Sequence, residues 1–314
     1  MAMEVRVDPL FQSSGDLLAD RRYGFALELA ARGDRHGAID VLTQAIELAP
    51  DFASAWFTLA DLREVSGDRS GAIEAFRRAH VADPDDCRGA GLRLARLSAQ
   101  VPSAMPPAYV RALFDQYAPR FDTALEALSY RAPALLLDAI TRSHARRGQR
   151  LRFGAVLDLG CGTGLMGAAV GPVCDWLVGV DLSPGMIAKA RQKGLYDRLD
   201  VADVGEFMKA ECSTSSRYHL ILAADVLPYV GDLTQIMTQV KSLLEAGGLF
   251  GFTVETHAGA GIRLGEKLRY AHSEMHVRDA IASAGFALHV FEHASTRNEG
   301  GAPVANVVVL GGRP

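Results

Sequence analysis

Apolar and polar residues recur with helical spacing through the first hundred residues, and the pattern itself repeats. Residues 22–50 (RYGFALELAARGDRHGAIDVLTQAIELAP) superpose on residues 56–84 at an offset of 34. The identical residues that coincide include Gly33 and Gly67, Asp34 and Asp68, Gly37 and Gly71, Ala38 and Ala72, Ala45 and Ala79, and Pro50 and Pro84. Small residues beside an apolar stripe are typical of helices that cross closely. The pattern predicts two helical hairpins, each turning at Gly-Asp and ending at a proline.

The pattern changes near residue 150, where short β-branched runs begin to alternate with helical stretches. This alternation is the signature of a doubly wound α/β sheet. A first strand is predicted to end at Leu159 and a second to cover residues 176–180. Later runs predict strands at residues 218–225, 249–255, 288–293 and 304–310, with a helix beginning near Ser273.

Length, charge and cysteine spacing narrow the functional classes. A chain of 314 residues predicts two domains, because one hydrophobic core rarely organises so many. The net charge of -4 provides no positive field for a phosphate backbone, so nucleic acid is not an expected partner. The four cysteines form no C-x-x-C pair, which fits neither a disulfide framework nor a zinc site. His272 and His276 lie four residues apart without an evident third ligand, so no metal is expected.

The beginning of the chain (MAMEVRVDPLFQSSGDLLADRR) has early acidic residues and no apolar signal-peptide core. No later apolar run approaches the roughly 20 residues that cross a bilayer. We therefore expect a cytoplasmic protein without a membrane partner.

The segment VLDLGCGTGLMG, residues 156–167, carries the strongest chemical signal. Gly160, Gly162 and Gly164 form a turn between strand and helix, where bare backbone lets a cofactor approach. Gly162, Gly164 and Gly167 also satisfy the dinucleotide fingerprint G-x-G-x-x-G, so the glycines do not decide the cofactor. Asp158 decides it, because a carboxylate at this strand end repels a pyrophosphate and suits a cation. A positively charged cofactor is favoured, and a nicotinamide cofactor is the weaker alternative.

The pattern D-x-G-x-G-x-G resembles the first motif of class I S-adenosylmethionine-dependent methyltransferases. The resemblance implies that Asp181 accepts the ribose hydroxyls, that Leu182 and Met186 pack on the adenine, and that Asp203 and Val204 contact its edge. It further implies a seven-stranded Rossmann-like sheet, mostly parallel and closed by a C-terminal antiparallel hairpin. The implied cofactor-binding set is Asp158, Gly160, Gly162, Gly164, Asp181, Leu182, Met186, Asp203, Val204, Asp225 and Tyr117.

The 34-residue period resembles that of tetratricopeptide repeats. The whole arrangement is similar to bacterial methyltransferases that carry such repeats at the front, and Tyr117 lies in a segment resembling the helices that cover their cofactor. We predict an all-α tetratricopeptide domain over residues 15–100, a linker over 101–107, and a methyltransferase domain over 108–314.

A general base is optional for methyl transfer, and three side chains are candidates near the predicted mouth of the crevice. They are Tyr229, His257 and His272. Each has a structural alternative, because Tyr229 could be an apolar wall, His257 a solvated loop residue, and His272 the neighbour of a helix cap at Ser273. Arg297 and Glu299 could bind an anionic acceptor or pair with each other.

The favoured function is methyl transfer from S-adenosylmethionine to the oxygen or nitrogen of a small-molecule acceptor, with S-adenosylhomocysteine as product. A protein or peptide methyltransferase that recruits its substrate through the repeats is the first alternative. A catalytically inactive S-adenosylmethionine-binding interaction protein is the second. Neither the acceptor nor the oligomeric state has a readable code in the sequence.

Overall fold

The structure, a computed structural model, describes residues 10–214 and 216–314. The stretch that lacks an apolar signal-peptide core includes residues 1–9, which lie outside the described residues. The chain divides into two compact units, with the boundary between Pro102 and Ser103. Across the described ranges, no helix is long and apolar enough to cross a membrane.

The first unit is helical. Its five helices are α1 (Leu17–Ala31), α2 (Arg35–Leu48), α3 (Ala53–Val65), α4 (Arg69–Ala82) and α5 (Ala90–Leu97). Asp34 and Asp68 cap α2 and α4 by accepting hydrogen bonds from Gly37 N and Gly71 N, both at 2.9 Å. A Cβ on either of these glycines would collide with the capping carboxylate. The repeated Asp-x-x-Gly spacing therefore marks a helix start. The third residue after the capping aspartate must be glycine, because a side chain there would collide with the carboxylate.

The core of this unit follows the predicted pattern of small and large residues. Alanines at the helix crossings are fully buried, namely Ala26, Ala38, Ala60 and Ala72. Larger buried side chains, including Tyr23, Phe52, Leu59 and Phe76, fill the space between the helices. Close helix approach and aromatic filling together give each hairpin a shared hydrophobic core with the next.

The second unit is an α/β sheet with helices on both faces. Its helices are α6 (Pro107–Tyr117), α7 (Phe121–Ala127), α8 (Ala132–Arg146), α9 (Leu165–Val170), α10 (Pro184–Lys193), α11 (Val204–Ser213), α12 (Leu233–Leu243) and α13 (Glu274–Ser283). Its strands are β1 (Phe153–Leu159), β2 (Cys174–Asp181), β3 (Arg198–Val201), β4 (Tyr218–Ala223), β5 (Leu244–Glu255), β6 (Ile262–Leu264), β7 (Tyr270–His272), β8 (Ala287–Ala294), β9 (Asn298–Glu299), β10 (Ala302–Pro303) and β11 (Asn306–Gly312). Three-residue 3-10 turns occupy Ala118–Arg120, Gly171–Val173 and Leu227–Tyr229.

Seven strands form the main sheet in the order β3-β2-β1-β4-β5-β11-β8. The pairs from β3 to β5 are parallel, whereas β11 is antiparallel to both β5 and β8. The predicted fold class, a mostly parallel sheet with a C-terminal antiparallel hairpin, is confirmed. Two short ribbons, β6–β7 and β9–β10, were not predicted.

Alternate side chains of β1 pack into two hydrophobic cores, one on each face of the sheet. Leu157 and Leu159 pack with residues of α11, α12 and α13 on one face. Val156 packs with residues of α8 and α9 on the other. Because both faces are covered, the central strands β1 and β4 are largely apolar, and acidic residues lie at or just after the ends of the parallel strands.

Candidate active site

Acidic residues gather at one edge of the sheet because parallel strands end there. Asp158 and Asp181 lie at the ends of β1 and β2, and Asp203 and Asp225 follow β3 and β4. Glu255 is the last residue of β5. The topology therefore brings the four predicted aspartates to the carboxyl edge, where ligands bind in open α/β sheets.

The glycine turn after β1 has a backbone that side chains disfavour. Gly160, Gly162 and Gly164 have φ angles of 61°, 55° and 91°. The turn is tied to β2 by hydrogen bonds from Cys161 N to Val180 O and from Gly162 N to an Asp181 carboxylate oxygen, each 2.9 Å long. Left-handed residues in this turn explain why glycine recurs at every second position.

Asp181 holds the backbone of two loops. One of its oxygens accepts from Gly162 N, and the other accepts from Ser183 N at 2.8 Å. Burial raises the pKa of Asp181 to about 6, an effect opposed by these hydrogen bonds and reinforced by the charge of Asp115. The carboxylate predicted to bind a ribose thus also fixes the glycine turn.

Asp158 is 1% exposed, and only one of its two carboxylate oxygens accepts a hydrogen bond from the described residues. Its Oδ2 accepts a 2.7 Å hydrogen bond from the Tyr196 hydroxyl, while its Oδ1 has no hydrogen-bond partner in the described part of the chain. Burial raises the pKa of Asp158 to about 7, and the nearby charge of Asp181 adds to this. A buried carboxylate oxygen without a donor is costly, so the arrangement fits a cationic ligand such as an ammonium group.

Tyr196, which the sequence analysis missed, occupies a slot lined by glycines. A Cβ built on Gly164, Gly167 or Gly179 would lie 3.1, 2.4 or 2.8 Å from its ring. Two glycines of the motif, Gly164 and Gly167, therefore make room for a tyrosine of the chain itself. An isolated glycine within strand β2 is the sequence signal that could have indicated this close approach.

The segment of α6, the adjoining 3-10 turn and α7, residues 107–127, is called the strap below. Asp115 accepts from the Ser183 hydroxyl and from Gly185 N, the latter at 3.0 Å. Asp122 accepts from the Thr163 hydroxyl and, at 2.8 Å, from Lys193 Nζ. These contacts tie the strap to the glycine turn and to the start of α10.

The strap also supplies aromatic side chains beside the turn. A Cβ on Gly162 would lie 3.7 Å from the ring of Phe121. Phe114 meets Tyr229 edge to face, with ring centroids 5.1 Å apart. Tyr117 lies on the strap beneath the guanidinium of Arg120, 5.4 Å from its ring centroid.

The remaining predicted cofactor residues have varied surroundings. The half-buried Leu182 accepts a long hydrogen bond of 3.4 Å from Arg111 through its carbonyl. Met186 is fully buried. Asp203 caps α11 by accepting from Gly205 N at 2.9 Å and from Glu206 N at 3.2 Å, and Val204 is the first residue of that helix.

Asp225 differs from the other aspartates because an arginine neutralises it. Its backbone has a φ of 57°, an unusual value for a residue other than glycine. Thr253 Oγ1 donates to Oδ1 at 2.7 Å, while Arg297 and Thr296 donate to Oδ2. Both carboxylate oxygens of Asp225, a predicted cofactor-binding residue, therefore accept hydrogen bonds within the protein.

Arg297 is the centre of a charge cluster, which we define as Asp225, Glu255, Glu299, Lys267, Arg269 and Arg297. Arg297 is 7% exposed and donates to all three carboxylates. Burial disfavours its charge, but Asp225 and Glu255 outweigh that effect and raise its pKa. Burial likewise opposes ionisation of Glu299, yet donors on Arg269, Lys267 and Arg297 lower its pKa to about 2. The three acids and three bases of the cluster cancel in charge.

The three candidate bases differ in their pKa values and in their hydrogen-bond partners. Burial raises the pKa of Tyr229 well above its usual value, so its hydroxyl stays protonated at neutral pH. The ring of His257 is held by its own loop, with Nδ1 accepting from Gly259 N at 3.0 Å and Nε2 lying 3.2 Å from Gly261 O. His272 is fully buried, its Nε2 is 2.9 Å from Gly231 O, and burial lowers its pKa to about 4.

His272 stacks on His276 with ring centroids 5.5 Å apart, and Ser273 caps α13 between them. In residues 10–214 and 216–314, no group of three or more histidine, cysteine or acidic side chains could hold a metal ion.

Residues 157–250 match the family model of a methyltransferase domain, and residues 29–97 match that of the tetratricopeptide repeat. The chain contains a methyltransferase domain. The matched segment, residues 157–250, includes Asp158, the glycine turn, Asp181 and Asp225. The sequence analysis predicts these residues as parts of one cofactor-binding site. The helical unit carries the tetratricopeptide repeats.

Two curated relatives match the methyltransferase domain over part of their length. Human methyltransferase-like protein 27 is 40% identical over 94 residues, which are 30% of this chain and 37% of that protein. Nodulation protein S of Sinorhizobium fredii is 32% identical over 118 residues, covering 34% of this chain and 52% of that protein. The chain thus spans about half or less of the length of these relatives.

A solved structure with the same fold is the Burkholderia thailandensis 1,6-didemethyltoxoflavin-N1-methyltransferase, which holds 1,6-didemethyltoxoflavin and S-adenosylhomocysteine. It is 19% identical with a TM-score of 0.50, and the likeness covers 68% of this chain and 92% of that one. At this identity the likeness concerns the fold alone.

Proposed function

We propose that the chain is a methyltransferase that uses S-adenosylmethionine, bound where β1 and β2 end. The observation that carries this proposal is Asp158, whose buried Oδ1 has no donor in the described part of the chain. Asp158 and Asp181 together present negative charge next to a turn of bare glycine backbone. A ligand with an ammonium group and a sulfonium centre satisfies that charge, whereas a pyrophosphate opposes it.

The chain's residues have distinct roles in this proposal. Asp158 binds the ammonium, held in place by Tyr196, and Asp181 accepts from the ribose while fixing the glycine turn. Leu182, Asp203 and Val204 border the adenine. S-adenosylmethionine supplies an electrophilic methyl group.

The strap excludes water and aligns the acceptor. Phe114, Phe121 and Tyr229 form an aromatic wall that needs no ionised group. In-line displacement at a sulfonium depends mainly on alignment and exclusion of water, so such a wall suits the reaction. We propose that the protonated Tyr229 hydroxyl donates a hydrogen bond to the acceptor or that its ring packs on the acceptor, and that His257 and His272 have structural roles.

The acceptor is proposed to be a small, uncharged molecule. Arg297 and Arg269, the cations that could have bound an anionic acceptor, are already paired with Glu255 and Glu299. A cytoplasmic location is proposed on the four free cysteines.

Calorimetry tests the cofactor assignment. S-adenosylhomocysteine should bind with a micromolar dissociation constant, about -8 kcal/mol, and NAD should not bind measurably. Tritiated S-adenosylmethionine incubated with metabolite extracts then identifies the acceptor from the labelled product. Tighter binding of NAD than of S-adenosylhomocysteine would refute the proposal.

A protein or peptide acceptor recruited by the tetratricopeptide repeats is the second candidate. The match of residues 29–97 to this repeat family is the observation that favours it. If a chain lacking residues 1–102 methylates its true acceptor as fast as the full chain, this candidate fails.

A further inference from the structure

Tyr130 lies in the turn between α7 and α8, and the backbone of this turn is anchored to the loop after β8. Arg131 N donates a 2.8 Å hydrogen bond to Thr296 O, and Asn298 N donates to Leu128 O at the same distance. The two bonds lie on either side of Tyr130 along the chain. Its position relative to the loop after β8 is therefore fixed by the backbone.

The half-buried side chain of Tyr130 lies near the carboxyl edge of the sheet. Thr296, which accepts from the residue after Tyr130, donates through its own hydroxyl to Asp225 at 3.1 Å. Burial and the charges of Asp225 and Asp158 raise the pKa of Tyr130 well above its usual value, and Arg297 opposes them. The phenol is thus within electrostatic range of both halves of the edge and stays protonated at neutral pH.

Tyr229 supplies a second protonated phenol to the same region. Its ring is held edge to face against Phe114 of the strap, with centroids 5.1 Å apart. The charges of Arg269 and Arg297 act on its phenol. The two tyrosines therefore have Arg297 as a common neighbour, although they come from segments about 100 residues apart in sequence.

Neither tyrosine hydroxyl forms a hydrogen bond with residues 10–214 or 216–314. The polar groups near them are occupied, because Asp225 accepts on both oxygens and Arg297 pairs with three acids. Shielded tyrosine hydroxyls usually have a partner. Once a ligand excludes water from the crevice, an unpaired donor is costly, so a well-matched ligand must itself offer hydrogen-bond acceptors.

The surroundings of the two phenols narrow the chemistry of such a ligand. The carboxylates of Asp158 and Asp225 act on Tyr130 and disfavour a further anion. A cationic ligand lacks a free acid, because Arg297 neutralises Asp225 and the cofactor's ammonium is assigned to Asp158. Phe114 and Phe121, with ring centroids 6.2 Å apart, add aromatic surface beside Tyr229. Aromatic side chains pack well on a planar ring.

We propose that Tyr130 and Tyr229 determine acceptor specificity by binding an uncharged, planar aromatic compound, each hydroxyl donating a hydrogen bond to an oxygen or nitrogen on its rim. Phe114 and Phe121 pack on the ring. This proposal rests on the proposed function, since it assigns the acceptor of the same methyl transfer. It concerns how that acceptor is held and adds no chemical step to the reaction.

The first experiment determines the chemical class of the acceptor. The full chain is incubated with tritiated S-adenosylmethionine and a metabolite extract, and the labelled products are separated by ion exchange at neutral pH and by reversed-phase chromatography. The main labelled product should be uncharged and should absorb ultraviolet light as an aromatic ring does. A main product that is anionic, cationic or aliphatic would overturn the proposal.

The second experiment tests the two hydroxyls with the acceptor purified from that extract. Tyr130→Phe and Tyr229→Phe should each raise its KM about tenfold with little change in kcat, because each loses a bond made equally before and during methyl transfer. In the double variant the two factors should multiply, since the bonds go to different atoms. Tyr218→Phe, which removes a hydroxyl bonded to Glu211 at the start of β4, is the matched control and should leave KM unchanged.

Calorimetry with S-adenosylhomocysteine separates the failure of this proposal from that of the proposed function. Wild type and all the variants should bind it with the same affinity. No binding to wild type would refute the proposed function, and the acceptor assignment with it. If wild type binds but Tyr130→Phe weakens this affinity and leaves the acceptor's KM unchanged, Tyr130 belongs to the cofactor site and only the acceptor assignment is wrong. An unchanged KM in both single variants would likewise overturn it.

Discussion

The two halves of the sheet's carboxyl edge hold acids in opposite electrostatic states. At the ends of β1 and β2, Asp158 and Asp181 meet only neutral donors, namely a phenol and backbone N–H groups. Around β4, β5 and the loop after β8, Asp225, Glu255 and Glu299 meet arginines. Buried carboxylates thus carry uncompensated negative charge on one side of the edge. On the other side, arginines neutralise them.

The pKa directions express this difference. Burial raises the pKa of Asp158 and Asp181 to about 7 and about 6, whereas arginine and lysine donors lower that of Glu299 to about 2. An acid that is costly to ionise in the ligand-free protein gains most from a cationic ligand. We therefore expect the first half to hold the proposed cofactor and the second half to stabilise the fold.

The largest expected effect is on the neutral scaffold. Arg297→Met leaves three buried carboxylates short of a partner and should lower the free energy of unfolding by about 3–5 kcal/mol. Lys267→Met removes an exposed partner of Glu299 and should cost about 0–1 kcal/mol. Urea unfolding measures both, and equal losses would show that the cluster is not centred on Arg297.

The second prediction concerns the slot for Tyr196. Gly167→Ala places a Cβ 2.4 Å from the Tyr196 ring and should lower the free energy of unfolding by about 1–3 kcal/mol. Gly171→Ala, with no atom within 4 Å of the added carbon, is the control and should be near neutral. Thermal unfolding compares the pair. Equal stability of the two variants would contradict the tight fit of Tyr196.

The third prediction addresses Asp181. Asp181→Ala removes the acceptor of Gly162 N and Ser183 N together with the proposed ribose acceptor, so S-adenosylhomocysteine should bind about 1–3 kcal/mol more weakly. Asp175→Ala, at an exposed residue of β2 paired with Arg152, should leave the affinity unchanged. Calorimetry of both variants decides, and undiminished binding to the Asp181 variant would remove its ribose role.

The smallest predicted effect is a pH dependence. Because the folded pKa of Asp158 is about 7, its carboxylate is lost as pH falls from 8 to 6, and affinity for S-adenosylhomocysteine should drop about tenfold. The same raised pKa means that this acid favours the ligand-free fold below pH 4 and loses that contribution as pH rises through 7. Calorimetry at pH 6, 7 and 8 measures the first effect, and a flat profile contradicts it.

Regular patterns predicted the fold, and side-chain packing limited the prediction of the site. The 34-residue period and the strand with D-x-G-x-G-x-G are local features, so the repeats, the mostly parallel sheet and the methyltransferase domain were predictable. Asp225 was predicted to bind a cofactor because its position follows β4. The loop after β8 brings Arg297 to it from 72 residues away, and no local pattern encodes that pairing.

Tyr196 illustrates the same limit. It lies between α10 and β3, outside every motif, and its importance depends on three glycines from two other elements. Asp115 and Asp122 on the strap likewise reach the glycine turn and α10 over about 40–70 residues of sequence. Long-range contacts of single polar side chains leave no periodic trace.

The most direct test of the account compares one acid from each half of the edge. Asp158→Asn keeps the acceptor for Tyr196 but removes the charge, and Glu299→Gln removes a charge from the neutral cluster. At pH 8, calorimetry should find that S-adenosylhomocysteine binds about tenfold or more weakly to the Asp158 variant and within about twofold of wild type to the Glu299 variant. Equal affinities of wild type and Asp158→Asn, or a larger loss in Glu299→Gln, would contradict the assignment of the cofactor to the uncompensated half.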